Sequence, residues 1–170
     1  MVSTYLSEVV RRAVKAKVRN KVKTLINVDP LIQVKADPDF LFRSLANIIR
    51  NAVHHSDKED VISVSAEIRA DRVFITIADS GPGVPEDELE KIFAPFYRLE
   101  SSRSRATGGT GLGLAIVKSC IEACQGSVSC RNGIPTGFEV SIELKGAEAN
   151  FDREHDGERL DTFFVADTKS

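Results

Sequence analysis

The sequence predicts an α/β fold in which a mixed sheet is covered on one face by helices. Two observations lead there. Four segments, one of them short, have the residue pattern of helices and six more read as short strands, and the two kinds are interspersed rather than strictly alternating, as a wholly parallel sheet would require. The 170 residues suit one domain, since most domains run to roughly 100–200 residues. A chain of this size buries about 70% of the surface its unfolded form exposes, so it can build its own core.

The first helix is read from Leu6, Val9, Val10, Ala13 and Val14, a single apolar stripe that Ser3 or Thr4 can cap. Lys23 to Val28 and Ile32 to Lys35 read as short strands around a turn at Asp29-Pro30. Asp37-Pro38-Asp39 is a helix start: a capping carboxylate, then a proline where a missing N–H costs nothing. The helix that follows places Leu41, Leu45, Ile48, Ile49 and Ala52 on its apolar side and should stop near Ser56-Asp57. Val61 to Arg69 and Val73 to Ala78 alternate at strand spacing about a turn at Ala70-Asp71-Arg72, which predicts a hairpin. Residues 80–85 break regular structure, Glu86 to Phe93 can form a short helix, and Leu99 to Thr110 is a long polar connection. Leu112 to Gln125 then reads as a helix, followed by strands Ser127 to Arg131 and Gly137 to Leu144.

Composition narrows the function classes. With 42% hydrophobic and 28% charged residues the chain is not collagen-like, disordered or a disulfide scaffold. No apolar run approaches the ~20 residues of a membrane span, and no secretion-signal pattern follows Met1. The net charge of −2 gives no global argument for nucleic acid or an anionic membrane. Charge is nonetheless uneven: Arg11 to Lys23 holds seven basic residues and no acid, while 147–170 holds seven acids against three bases. Both ends read as solvated faces, and the basic run lacks the interleaved aromatics that stack on bases. Cys120, Cys124 and Cys130 have no histidine nearby at metal-ligand spacing, so they read as free thiols in a reducing compartment.

Three constellations could carry chemistry. Asn47, Asn51 and His54 are spaced four and three apart, so they share the helix face opposite the Leu/Ile stripe. Carboxamide oxygens there could coordinate a hard cation such as Mg²⁺, although a solvated polar face has the same appearance. Asp79-Ser80-Gly81-Pro82-Gly83 follows a strand directly, so an acid that can accept from an exocyclic amine precedes two glycines that allow close backbone approach. A plain turn reads the same way. Gly108-Gly109-Thr110-Gly111-Leu112-Gly113-Leu114 runs into a helix whose N-terminal N–H groups favour anions, phosphate above all. It lacks the Lys-Ser/Thr of a P-loop and the preceding strand of a dinucleotide fold.

In this order, the three segments resemble the catalytic, ATP-binding domain of bacterial sensor histidine kinases, in the superfamily that includes gyrase, Hsp90 and MutL. Asn47 to Ala52 is similar to the family's N box, Asp79 to Gly83 to its first glycine box, Phe93-Ala-Pro-Phe96 to its F box, and Gly109 to Leu114 to its second glycine box. Thr136-Gly-Phe138 fits the segment before the closing strand. The resemblance spans about residues 3–145 and implies a two-layer α/β sandwich: a mixed, mostly antiparallel sheet of about five strands under about three helices. It also implies the cofactors ATP and Mg²⁺. Asp79 would take the adenine amino group, with Gly81, Gly83 and Thr136 shaping that pocket. Asn51 would ligate Mg²⁺ with Asn47 nearby, and Thr110, Gly111, Leu112, Gly113 and Leu114 would hold phosphates. Residues 99–110 would be a lid carrying Arg103 and Arg105 and hinged on Gly108 and Gly109.

The chain departs from the family pattern at His54, where lysine often reaches a phosphate; His54 stays a candidate phosphate contact that would act weakly unless protonated. Gyrase- and Hsp90-like relatives carry a glutamate in place of Asn47, and an amide cannot abstract a proton from water. The resemblance therefore implies transfer of the γ-phosphoryl group to a histidine on a separate helical dimerisation domain, for relay to a response regulator, with residues 1–146 as the catalytic domain. Phe93, Phe96 and Tyr97 are expected to pack against the lid and that helical partner, His55 to be structural, and His155 not to be the acceptor. The acidic segment 147–170, with its apolar stretch Leu160 to Val165, is expected to be flexible or to dock. No nucleic acid and no direct membrane contact are expected: the domain would be cytoplasmic, cut from a longer sensor kinase that other segments could anchor in the inner membrane. Two other readings remain, a nucleotide-holding regulatory module and an anti-sigma-factor-type serine kinase, although the F-box residues favour the histidine kinase.

Overall fold

The computed structural model describes residues 1–18, 22–97, 111–148 and the backbone of 164–165. In chain order the elements are β1 (Val2–Tyr5), α1 (Leu6–Lys17), β2 (Lys23–Asn27), β3 (Gln33–Ala36), α2 (Pro38–His54), β4 (Val61–Arg69), β5 (Arg72–Ala78), a 3₁₀ turn (Glu86–Glu88), α3 (Gly113–Ala123), β6 (Ser127–Asn132), β7 (Phe138–Lys145) and β8 (Phe164–Val165). The main sheet runs β6-β7-β5-β4-β2-β8. Only β2 and β4 are parallel; the other neighbours are antiparallel.

The strands alternate as a half-covered sheet should. Ile62 and Val64 of β4, Val73, Ile75 and Ile77 of β5, and Val140, Ile142 and Leu144 of β7 are buried in the core, while Ser63, Ser65, Thr76 and Ser141 line the opposite face. The three helices supply the second layer: Leu6, Val10 and Ala13 from α1, Leu41, Leu45 and Ile49 from α2, and Val117 and Ile121 from α3 are inaccessible to solvent. α2 lies between the other two. Burying a leucine or isoleucine side chain contributes roughly 1.5–3 kcal/mol, so this shared layer fixes α2, and with it the polar edge of that helix, against the sheet.

Local chemistry explains α2. Asp37 Oδ1 accepts from the N–H groups of Asp39 (2.9 Å) and Phe40 (3.0 Å), and Pro38 occupies the first helical position. At the other end Ser56 Oγ donates to the carbonyl of Ala52 (2.7 Å). The predicted cap of α1 does not form. Ser3 and Thr4 belong to β1, which pairs with β3 in a small separate sheet, and Tyr5 precedes the helix without a side-chain cap. The Leu6 N–H donates instead to the Ile32 carbonyl (3.0 Å), so backbone does the work expected of a hydroxyl. The helix predicted over Glu86 to Phe93 reduces to one 3₁₀ turn and further turns. Its backbone bonds join residues three apart, from Glu88 to Pro85, Leu89 to Glu86 and Lys91 to Glu88, which is the tighter winding. From the acidic C-terminal segment, Phe164–Val165 pair antiparallel with Leu25–Ile26 on the edge of β2.

Candidate functional site

The polar edge of α2 carries Asn47, Asn51 and His54. Asn47 is engaged at both ends of its carboxamide: Nδ2 donates to the Arg43 carbonyl (2.9 Å) and Oδ1 accepts from Arg50 Nη2 (2.7 Å). Asn51, half-buried one turn later, makes no side-chain hydrogen bond among the described residues, so its oxygen is available to a ligand. His54 is exposed and its ring meets that of half-buried His55 edge-on, 5.0 Å between centroids. Burial, aided by the neighbouring His54, pushes His55 below the usual histidine range, against an opposing pull from Asp79.

Asp79 stands where β5 ends. Its backbone N–H donates to the Phe138 carbonyl (3.0 Å), and its Oδ1 accepts from the N–H groups of Gly81 (2.9 Å) and Phe138 (3.2 Å). These bonds fix the carboxylate and leave Oδ2 without a partner among the described residues. Burial is the largest influence on Asp79 and raises its pKa; the two N–H groups and His55 pull it down, and Asp60 adds to the rise. A carboxylate so placed favours a donor arriving at Oδ2.

Glycine geometry ties this acid to its surroundings. A Cβ on buried Gly81 would lie 2.7 Å from the His55 carbonyl oxygen, so no larger residue lets the loop sit this close to the end of α2. Gly83 has φ +76° and faces Asn132 and Gly137. Gly137, at φ +109°, abuts the Asp79 backbone, which places exposed Thr136 beside the Asp79 loop.

The third segment meets the opposite end of the same helix face. A Cβ on Gly113, the first residue of α3, would lie 3.1 Å from Arg50 Nη2 and 3.4 Å from Asn47 Oδ1. Leu112 precedes α3 with no side-chain cap, so the first N–H groups of the helix, including those of Gly113 and Leu114, have no acceptor among the described residues. Gly111, at φ +73°, accepts from the Phe96 N–H (3.1 Å), which joins the F-box residues to this glycine run. Phe96 is 75% exposed, whereas Phe93 and Tyr97 pack partly against the core; of the three aromatics predicted to meet a partner, Phe96 is the one left open. Arg103, Arg105, Gly108, Gly109 and Thr110 lie outside the described residues.

The structure therefore gathers the α2 face, the Asp79–Gly83 loop, the Thr136 turn and the start of α3 into one region. It adds two residues the sequence reading passes over. Arg50 brings a guanidinium to the α3 N-terminus and makes no ion pair among the described residues; its position three after Asn47 was the available signal. Asn132 grips the loop after Gly83, and its partner Val84 is 48 positions away, so no local pattern marks it.

Comparison with known proteins places the chain among families of known sequence and fold. The family of histidine kinase-, DNA gyrase B- and HSP90-like ATPases matches residues 36–148. The chain is 37% identical over 123 residues to the signal transduction histidine-protein kinase BaeS of Escherichia coli K12, covering 72% of this chain and 26% of BaeS. It is 34% identical over 158 residues to the sensor-like histidine kinase SenX3 of Mycolicibacterium smegmatis, covering 91% of this chain and 41% of SenX3. The chain thus spans less than half the length of these relatives. Among solved structures, a mycobacterial sensor histidine kinase, MprB, superposes with a TM-score of 0.78 at 30% identity, over 85% of this chain and 98% of that one. The catalytic domain of histidine kinase ThkA gives 0.71 at 26% identity, with the same two coverages.

Proposed function

We propose, from the premise that this chain belongs to the family of histidine kinase-, DNA gyrase B- and HSP90-like ATPases, that it binds Mg-ATP and passes the γ-phosphoryl group to a histidine of a separate helical dimerisation domain, for relay to a response regulator. The observation that carries this reading is the arrangement around α2: an acid whose Oδ2 has no partner among the described residues near one end of its polar face, and a helix N-terminus with no side-chain cap against the other, with Asn51, also without a side-chain partner among the described residues, on the same face.

In this reading Asp79 Oδ2 accepts from the exocyclic amine of adenine, and Gly81, Gly83 and Thr136 form the walls around the base. The N–H groups from Gly111 to Leu114, together with Thr110, receive the phosphates, where a helix N-terminus favours negative charge. Arg50 and His54 face the same phosphates, and Arg103 and Arg105 would reach them from a lid hinged on Gly108 and Gly109. The donor set fits magnesium, which takes oxygen ligands and shares them with substrate phosphates: Asn51 offers a carboxamide oxygen with no partner among the described residues, while that of Asn47 is held by Arg50. When bound, the metal would supply neutralisation of phosphate charge.

The absence of an acid at Asn47 separates transfer from hydrolysis. An amide cannot take a proton from water, so the site holds and aligns ATP while the incoming nucleophile is a ring nitrogen that displaces ADP from the γ-phosphorus. Residues 1–146 form the nucleotide-binding unit of this proposal. No described helix is long and apolar enough to cross a membrane; a cytoplasmic site of action is part of the same proposal.

Calorimetric titration with ATP, with and without Mg²⁺, tests the reading. The chain should bind ATP more tightly with Mg²⁺, and Asn51→Ala should abolish most of that difference while leaving metal-free ADP binding intact. Absence of ATP binding, or an unchanged magnesium dependence in Asn51→Ala, would overturn the assignment it concerns.

A further inference from the structure

Asn132, the last residue of β6, reaches out of its own strand to hold a different segment. Its Oδ1 accepts from the Val84 N–H (2.8 Å), while its Nδ2 donates to the Val84 carbonyl (2.6 Å) and to Glu86 Oε1 (3.1 Å). A carboxamide carries both donor and acceptor, and here it pairs with both backbone groups of one residue as a neighbouring strand would. No other side chain of similar size does this. Aspartate would turn a carboxylate oxygen toward the Val84 carbonyl and Glu86, while serine or alanine would leave one or both Val84 groups to water.

The grip falls at a consequential place. Gly83 is so close that a Cβ there would lie 2.7 Å from Asn132 Oδ1 and 2.9 Å from the Gly137 carbonyl oxygen. In the β6–β7 ladder Asn132 pairs with Phe138, and the Phe138 N–H is one of the two that hold Asp79 Oδ1. One side chain thus fastens the far end of the Asp79–Gly83 loop to the strand pair that orients the acid itself.

We propose that Asn132 is a positioning residue for the nucleotide base: it holds the loop from Gly81 to Val84 in the conformation that keeps the adenine pocket closed around Asp79. The role rests on the reading of Asp79 as the acceptor of the adenine amine. A loop released from Asn132 keeps Asp79 and the phosphate-facing residues but loses the fixed wall, so the loss is felt at the base.

The test compares ATP with GTP, which share their phosphates and differ in the base, in the full chain and in Asn132→Ala and Asn132→Asp. Both variants should bind ATP about tenfold more weakly, the loss expected from one or two hydrogen bonds, with GTP affinity little changed and the ATP/GTP preference reduced. The wild-type Val84 amide should also gain protection from hydrogen exchange when ADP binds, a measurement that does not depend on either variant folding. Equal losses for ATP and GTP that follow a fall in thermal stability, or a Val84 amide indifferent to ADP, would reduce Asn132 to a structural contact and overturn the proposal. A wild-type chain that binds no ATP would instead remove the nucleotide reading itself.

Discussion

Replacing Asp79 by asparagine separates binding from folding at one atom. The Oδ1 bonds from Gly81 (2.9 Å) and Phe138 (3.2 Å) can be kept by the asparagine carbonyl, so the loop is retained. What changes is the Oδ2 position, where an acceptor becomes an NH₂ donor facing the amine that the proposed adenine pose brings there. A hydrogen bond to a charged group contributes about 1.5–3 kcal/mol, which converts to roughly 10- to 150-fold weaker ATP and ADP binding. Stability moves the other way. Burial raises the Asp79 pKa in the folded chain, so its contribution to stability is fully present below the unfolded value and is lost as pH rises through the folded one. At pH 7 the ionised carboxylate is therefore a net cost, and Asp79→Asn should melt no lower than wild type, and slightly higher. The difference should shrink as pH falls through the raised value. Over the same range wild-type ATP affinity should decline as the carboxylate protonates, a limb that Asp79→Asn lacks. Calorimetry and thermal melts on one preparation measure both. Unchanged nucleotide affinity in Asp79→Asn would refute the adenine assignment, and a large fall in melting temperature would refute the electrostatic argument.

Three further outcomes follow from the packing. Gly83→Ala places a side chain at φ +76° against Asn132 and Gly137, so thermal or denaturant unfolding should show a loss of about 2 kcal/mol, within the cost typical of a strained backbone position, together with weaker ATP binding. Leu45→Ala, in the solvent-free layer between α2 and the sheet, should cost about 2–5 kcal/mol by denaturant titration while nucleotide affinity below the melting transition stays near wild type. Burial pushes the Cys130 thiol up to about 11, and its Sγ lies against the Leu89 carbonyl (3.5 Å). Mass-spectrometric peptide mapping after iodoacetamide treatment at pH 8 should find it alkylated far more slowly than free cysteine, and a rate equal to the free thiol would contradict that environment.

What the sequence revealed was local. α2 is legible from end to end because its signals lie within the helix: the Asp37 cap, Pro38, and the stripe Leu41, Leu45, Ile48, Ile49 and Ala52, every one of them buried. The hairpin of Val61–Arg69 with Arg72–Ala78 is equally plain, since alternation and turn are adjacent. Ser3 and Thr4 mislead because a hydroxyl before an apolar stripe looks like a cap, while the strand partner that claims them begins thirty positions later, at Gln33. Glu86 to Phe93 misleads because three acids suit a helix start, yet the turns there follow i to i−3 bonds.

The site divides in the same way. Asn47, Asn51, Asp79, Gly81, Gly83 and Gly113 stand out as residue types in short motifs. The contacts that assemble them run between distant segments: Gly81 against His55, Gly113 against Arg50 and Asn47, and Val84 in the grip of Asn132. Spacing along the chain carries no trace of those.

The central claim is that this chain aligns ATP for transfer to a histidine. It is tested most directly by incubating it with γ-labelled ATP, Mg²⁺ and a histidine-bearing helical dimerisation domain of a sensor kinase, added as a separate protein. Label should appear on that domain, lost in acid and kept in alkali as a phosphohistidine requires, with little inorganic phosphate released and none of the transfer in Asn51→Ala. Acid-stable label, or rapid release of inorganic phosphate without labelled protein, would contradict it.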